Sequence, residues 1–152
     1  MIKKLLSLIT PKESEPKQAS EDAIRLAAIS LLIQVAKADH SLTEQEETKL
    51  VELVKTYFNQ SEQLKHDELI ELAMAKSDAS TSLYEFTSLI NESYDIEKKF
   101  QLITFMWEIA FSDHVIDTYE EHLIRRVADL IYLPHVQFIE AKLMAKQALL
   151  NN

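Results

Sequence analysis

From Ser20 onward apolar residues recur at intervals of three and four, and the strand-like alternation of apolar and polar residues is missing. This spacing predicts an all-α chain. Ser20 can cap a helix running to about Ala38. Thr43 can cap another to about Phe58, with Glu46 three residues on completing a capping box. A third helix runs through "DELIELAMAK" and a shorter fourth through "SLYEFTSLI". Asp95 opens a fifth that reaches about Ser112, and Asp117 a sixth to about Tyr132. Pro134 starts the last, through "VQFIEAKLMAKQALL". About seven helices follow, packed as one bundle over residues 20–150. Two of them, "LAAISLLIQVAKA" and "FQLITFMWEIAFS", are apolar on nearly every side, as helices enclosed by others must be.

Those two helices lead into similar loops. Superposing residues 29–58 on 103–132 pairs Ala36 with Ala110, Asp39 with Asp113, His40 with His114, Glu46 with Glu120 and Glu47 with Glu121. Apolar positions pair as well, including Leu42 with Ile116 and Leu50 with Ile124. One helix–loop–helix unit used twice is expected, giving a pseudo-two-fold bundle.

Each loop has a structural reading and a chemical one. The chain contains no glycine. His40 and His114 stand where a helix usually ends in a left-handed glycine, and His is among the residues enriched there. Thr43 and Asp117 then cap the next helix, and the glutamates fall in its first turn, where the helix dipole favours negative charge. The chemical reading starts from the order of oxygen-bearing side chains. Asp39, Thr43 and Glu46 in one loop, and Asp113, Asp117 and Glu120 in the other, reproduce the spacing of the second half of an EF-hand loop. The first half fails, because Val35 and Lys37, or Ile109 and Phe111, occupy its ligand positions. What is left is a partial site for a divalent cation, calcium or magnesium rather than zinc. Water or the other loop would have to complete it.

The same stretches, "AKADHSLTEQE" and "AFSDHVIDTYE", resemble the Ala-Asp-Gly-x-Ile-x-x-x-Glu pattern of the TerB-like tellurite-resistance family, with His in place of Gly. The resemblance covers about residues 22 to 148. It implies an all-helical domain, found alone or beside other domains, including in membrane-anchored DnaJ-like co-chaperones, and tied to stress phenotypes without an established reaction.

Composition narrows the partners. With 25 acidic against 16 basic side chains the net charge is −9, which repels nucleic-acid backbones. The expected partner is another protein. Cysteine is absent, so thiolate chemistry and Cys-based zinc sites are excluded, in keeping with the cytoplasm. Residues 1–19 read as a short amphipathic segment and a charged linker. Ile2, Leu5, Leu6 and Ile9 share one face beside Lys3 and Lys4, which could rest on a membrane surface and place the protein near one.

Enzyme signatures are weak. His40, His66, His114, His122 and His135 are scattered and form no H-E-x-x-H, and a phosphate loop or G-x-S-x-G elbow requires glycine. Glu108, inside an apolar helix, is read as facing a groove or hydrogen-bonding a neighbour before it is read as a perturbed acid or base. The sequence therefore points to a non-catalytic interaction module presenting its acidic Asp-His loops to a protein partner. The alternative is a metal-dependent hydrolase using the carboxylates of both loops, which requires the loops to converge.

Overall fold

The computed structural model describes residues 20–38, 41–79, 82–114 and 116–151. The amphipathic and linker segments expected in 1–19 lie outside these residues, as do Asp39 and His40. The described residues form seven α-helices: α1 (Glu21–Ala36), α2 (Glu44–Tyr57), α3 (His66–Ala79), α4 (Tyr84–Ser93), α5 (Ile96–Phe111), α6 (Thr118–Leu130) and α7 (His135–Leu150). No strand occurs among them, and no helix is long and apolar enough to cross a membrane.

The helices begin where side-chain oxygens can satisfy their first N–H groups. Ser20 Oγ accepts from the Ala23 amide at 3.1 Å, and Asp95 Oδ1 from the Lys98 amide at 2.9 Å. Thr43 and Glu46 close the expected capping box, while Asp117 Oδ1 accepts from the Tyr119 amide at 2.7 Å. Pro134 occupies the residue before α7.

The two all-apolar helices do form the centre. In α1 every residue from Ala27 to Ile33 is buried, and in α5 burial runs from Leu102 to Phe111 with the exception of Glu108. α1 packs chiefly against α3 and α4, α5 against α7, and the two central helices meet each other. α2 and α6 both lie on α5. Trp107 fills the space under α7, stacked on Phe111 at 5.7 Å between ring centres and tilted against Phe138 at 5.6 Å.

Two connections were not visible in the hydrophobic pattern. Between α2 and α3, Ser61 Oγ accepts from the Leu64 amide and donates to Asp22 on α1, and a His66 ring nitrogen meets the Phe58 carbonyl oxygen at 2.6 Å. At the end of α6, Tyr132 takes up the left-handed conformation with φ 61°, and the helix stops short of it, at Leu130. Its amide donates to the Asp129 carbonyl, and the Leu133 amide reaches back to the Ala128 carbonyl at 2.9 Å, a Schellman closure that returns Leu133 to the core.

That closure places a side chain where glycine would fit without strain. Because Tyr132 is largely exposed, replacing it removes little packing. Tyr132→Gly is expected to raise stability by about 1 kcal/mol, the left-handed penalty less the entropy of glycine, whereas Tyr132→Val lowers it. Thermal unfolding of the two variants beside the parent checks the order Gly above Tyr above Val.

Candidate functional site: two acidic loops and a buried carboxyl pair

The α1–α2 and α5–α6 loops deliver one glutamate each to the interior. Glu46 and Glu120 are both the third residue of their helices, and they are 0% and 1% exposed. Their surroundings are legible in sequence terms. Glu46 lies four residues after Leu42 and four before Leu50, and Glu120 stands in the same relation to Ile116 and Ile124, so each shares a helical face with core residues. The two carboxyls are in hydrogen-bonding contact with each other.

Glu46 is anchored first by its own loop. Its Oε1 accepts from the Thr43 amide at 3.0 Å, and the Thr43 hydroxyl accepts from the Glu46 amide at 3.1 Å. The remaining Oε2 of Glu46 and Oε2 of Glu120 are buried and receive no N–H or hydroxyl donor. The Glu120 carboxyl is pushed up from 4.5 to about 9, first by burial and then, in the same direction, by the hydrogen bond to Glu46, the Glu46 charge, and the charges of Asp113 and Asp117. At neutral pH Glu120 therefore keeps its proton and shares it with Glu46.

The other expected ligands divide as follows. Asp113 and Asp117 are half-buried beside the pair and close enough to raise Glu120. Asp117 also caps α6. Thr43 serves the capping box, and Asp39 lies outside the described residues. Among the described residues, no three His, Cys, Asp or Glu side chains are arranged to hold a metal ion. His114 does occupy the left-handed position, with φ 65°, and is exposed, as its place in the loop suggested.

Glu108 follows its hydrogen-bonding reading. Lys49 Nζ lies 3.4 Å from its carboxylate. Burial raises Glu108 above its ordinary range, and the Lys49 ammonium pulls it partly back. It borders a shallow cleft with Lys49, Ser112 and Leu149, away from the Glu46–Glu120 pair. On the other side of α6, Lys142 from α7 bridges to Glu121 at 3.3 Å while sitting over the Trp107 ring.

Comparison with known proteins bears on this arrangement. The family model described as tellurite resistance protein TerB matches residues 25–143, spanning both loops and the helices on either side. The chain belongs to the TerB family. A crystal structure of a protein of unknown function from Porphyromonas gingivalis W83 shares the fold, with a TM-score of 0.59 at 22% identity, over 86% of this chain and 92% of that one. None of the curated proteins matches. In this TerB chain, then, the two loops that carry the family-like motif meet through their glutamates.

The direct contact between Glu46 and Glu120 was not part of the reading of the loops, which took both residues as first-turn charges favoured by the helix dipole or as ligands of separate partial cation sites. The signal was their flanking by apolar residues four positions away on each side. The pair also fixes the direction of a pH effect. The raised pKa of Glu120 favours the protonated native state, so this group's contribution is fully present below about 4.5, the unfolded value, and is lost as pH rises towards about 9. Glu120→Gln, which cannot ionise yet still donates a hydrogen bond to Glu46, should flatten that decline. At pH 8 it should raise the melting temperature by on the order of 5 °C, measured by circular dichroism across pH. An unchanged pH profile would count against the buried pair.

Proposed function

We propose that this TerB-family chain is a non-catalytic helical module. In this reading its two acidic loops take a divalent cation between them and present the loaded, acidic surface to a protein partner in a stress-related, membrane-proximal assembly of the cytoplasm. The observation that carries the reading is the meeting of Glu46 and Glu120 in the interior, two acidic side chains with no basic group between them and only the Glu120 proton to relieve their repulsion. Two carboxyls buried in contact are costly, and their hard oxygen donors suit a calcium or magnesium ion. Glu46 and Glu120 would supply one ligand each. Asp113 and Asp117 supply further negative charge and ligand oxygen, and the proposal extends the set to Asp39 and Thr43 as the counterparts from the first loop.

A cation in this position does two things. It replaces the proton held by Glu120, and it neutralises the repulsion between that residue and the three carboxylates grouped around it. The loops would be drawn together, fixing the exposed Glu44, Glu47 and His114 as a recognition surface. The hydrolytic alternative needs substrate to reach the metal. Both glutamates are sealed in the interior, and neither lines the surface clefts formed by Lys49, Glu52, Glu108 and Ser112, which favours a binding role. Tellurite resistance enters through the family name, and a chain without cysteine offers no thiol to reduce or capture the oxyanion.

Calorimetric titration with calcium, magnesium and manganese tests the reading. The parent is expected to bind with saturation and to release protons, so that the apparent affinity rises with pH by up to about tenfold per unit below the Glu120 pKa. The Glu46→Gln/Glu120→Gln double variant should remain folded and lose binding. If the parent takes up no cation at millimolar concentration, the two loops are turns and caps alone.

A further inference from the structure

Helix α7 is apolar on two opposite sides. Phe138, Ala141 and Ala145 are buried, on the side that meets α5. About half a turn away, at ~100° per residue, a second row runs through Val136, Ile139, Leu143 and Leu150. This row faces solvent. Val136 is 69% exposed, Leu143 56% and Leu150 77%. Isolated exposed leucines are ordinary, but steps of three and four residues set Val136, Ile139 and Leu143 in one helix-packing stripe, to which Leu150 returns two turns later, past Lys146 and Gln147. Its edges differ in charge. Glu140 and Gln147 line one, His135 and Lys146 the other, and all four are exposed.

We propose that this stripe is a self-association surface, in which α7 packs side by side and parallel with α7 of a second copy of the chain. Charge selects that arrangement. A two-fold axis along the helices sets the Glu140 edge of one copy against the Lys146 edge of the other, whereas antiparallel packing would set each edge against its own kind. Area supports it too. The stripe with neighbouring Tyr132 and Met144 offers on the order of 600 Å² per copy, approaching the ~800 Å² per partner of a standard interface. An anionic membrane is the poorer occupant, since the chain carries −9 and the stripe lacks a basic cluster. The same net charge opposes dimerisation at long range, so added salt strengthens the dimer.

Sedimentation velocity of the full chain from about 1 to about 500 μM should show a monomer–dimer equilibrium that tightens with salt. Leu143→Glu should weaken it at least tenfold without altering the circular dichroism spectrum, because Leu143 makes little contact within its own chain. The native chain has no cysteine, so Val136→Cys and Leu143→Cys each introduce a single thiol. Both should oxidise to disulfide-linked dimers, and the distant Glu71→Cys should not. A monomer throughout the range would overturn the proposal, as would a dimer indifferent to Leu143→Glu. Crosslinking through Leu143→Cys but not Val136→Cys would overturn the parallel arrangement. A monomer that floats with phosphatidylserine vesicles in a Leu143-dependent way would assign the stripe to lipid instead.

Discussion

Two helices with no polar side have to be wrapped, and the other elements are arranged by that requirement. α1 and α5 expose almost nothing, so the remaining helices are laid over them, two chiefly on α1 and the others chiefly on α5. Hydrophobic burial is non-directional and fixes only that covering must occur. Direction comes from the caps. Thr43 and Asp117 set where α2 and α6 start, and therefore which residue of each first turn points inward. In both cases it is the third residue, and in both it is glutamate.

This places a cost inside the core. Two carboxyls in contact cannot both ionise in a medium that solvates charge poorly, and replacing them with apolar residues of similar size would commonly be neutral or stabilising. Several features soften the cost. Both residues lie at helix N-termini, where the dipole favours negative charge, and Glu46 Oε1 is held by the Thr43 amide. One proton on Glu120 removes the remaining repulsion. A core of this kind is held together by whichever positive species fills the gap, and a proton and a divalent cation compete for the same oxygens. The burial that raises Glu120 is thus also the reason a cation at the pair would depend on pH.

Much of the fold could be read from the chain. The all-α class, the seven helices, the caps at Ser20, Thr43, Asp95 and Asp117, and the central place of α1 and α5 all follow from local rules in which propensity, capping and apolar period agree. Less legible was whatever depends on which helix lies beside which. Tyr132 in a left-handed turn carries no composition signal, because the usual marker is glycine and this chain has none. The Asn91 side chain donates to the Leu130 carbonyl across 39 positions, a tie between α4 and α6 that no periodicity reveals. At the site, the loops and their residue types were readable, but the helix-dipole rule accounts for the charge of the glutamates without saying which way they point. Neighbouring leucines and isoleucines decide that direction, since core packing fixes which face of the helix turns inward.

Helix α7 shows why an averaged property can hide a surface. Its opposing apolar rows cancel when summed around the axis, so no single apolar face stands out in sequence, while in the fold one row is exposed. The acidic loops and this row are joined through α6, by the Lys142–Glu121 ion pair and the turn at Tyr132. Energetic coupling between two surfaces needs an element with two alternative arrangements. The α6–α7 junction is instead pinned by the Schellman closure and by Leu133 buried in the core. A half-exposed ion pair contributes little on its own and slackens without moving either helix. The two surfaces therefore sit on one frame, where the proposed cation uptake at the loops and the proposed pairing through α7 would contribute additively.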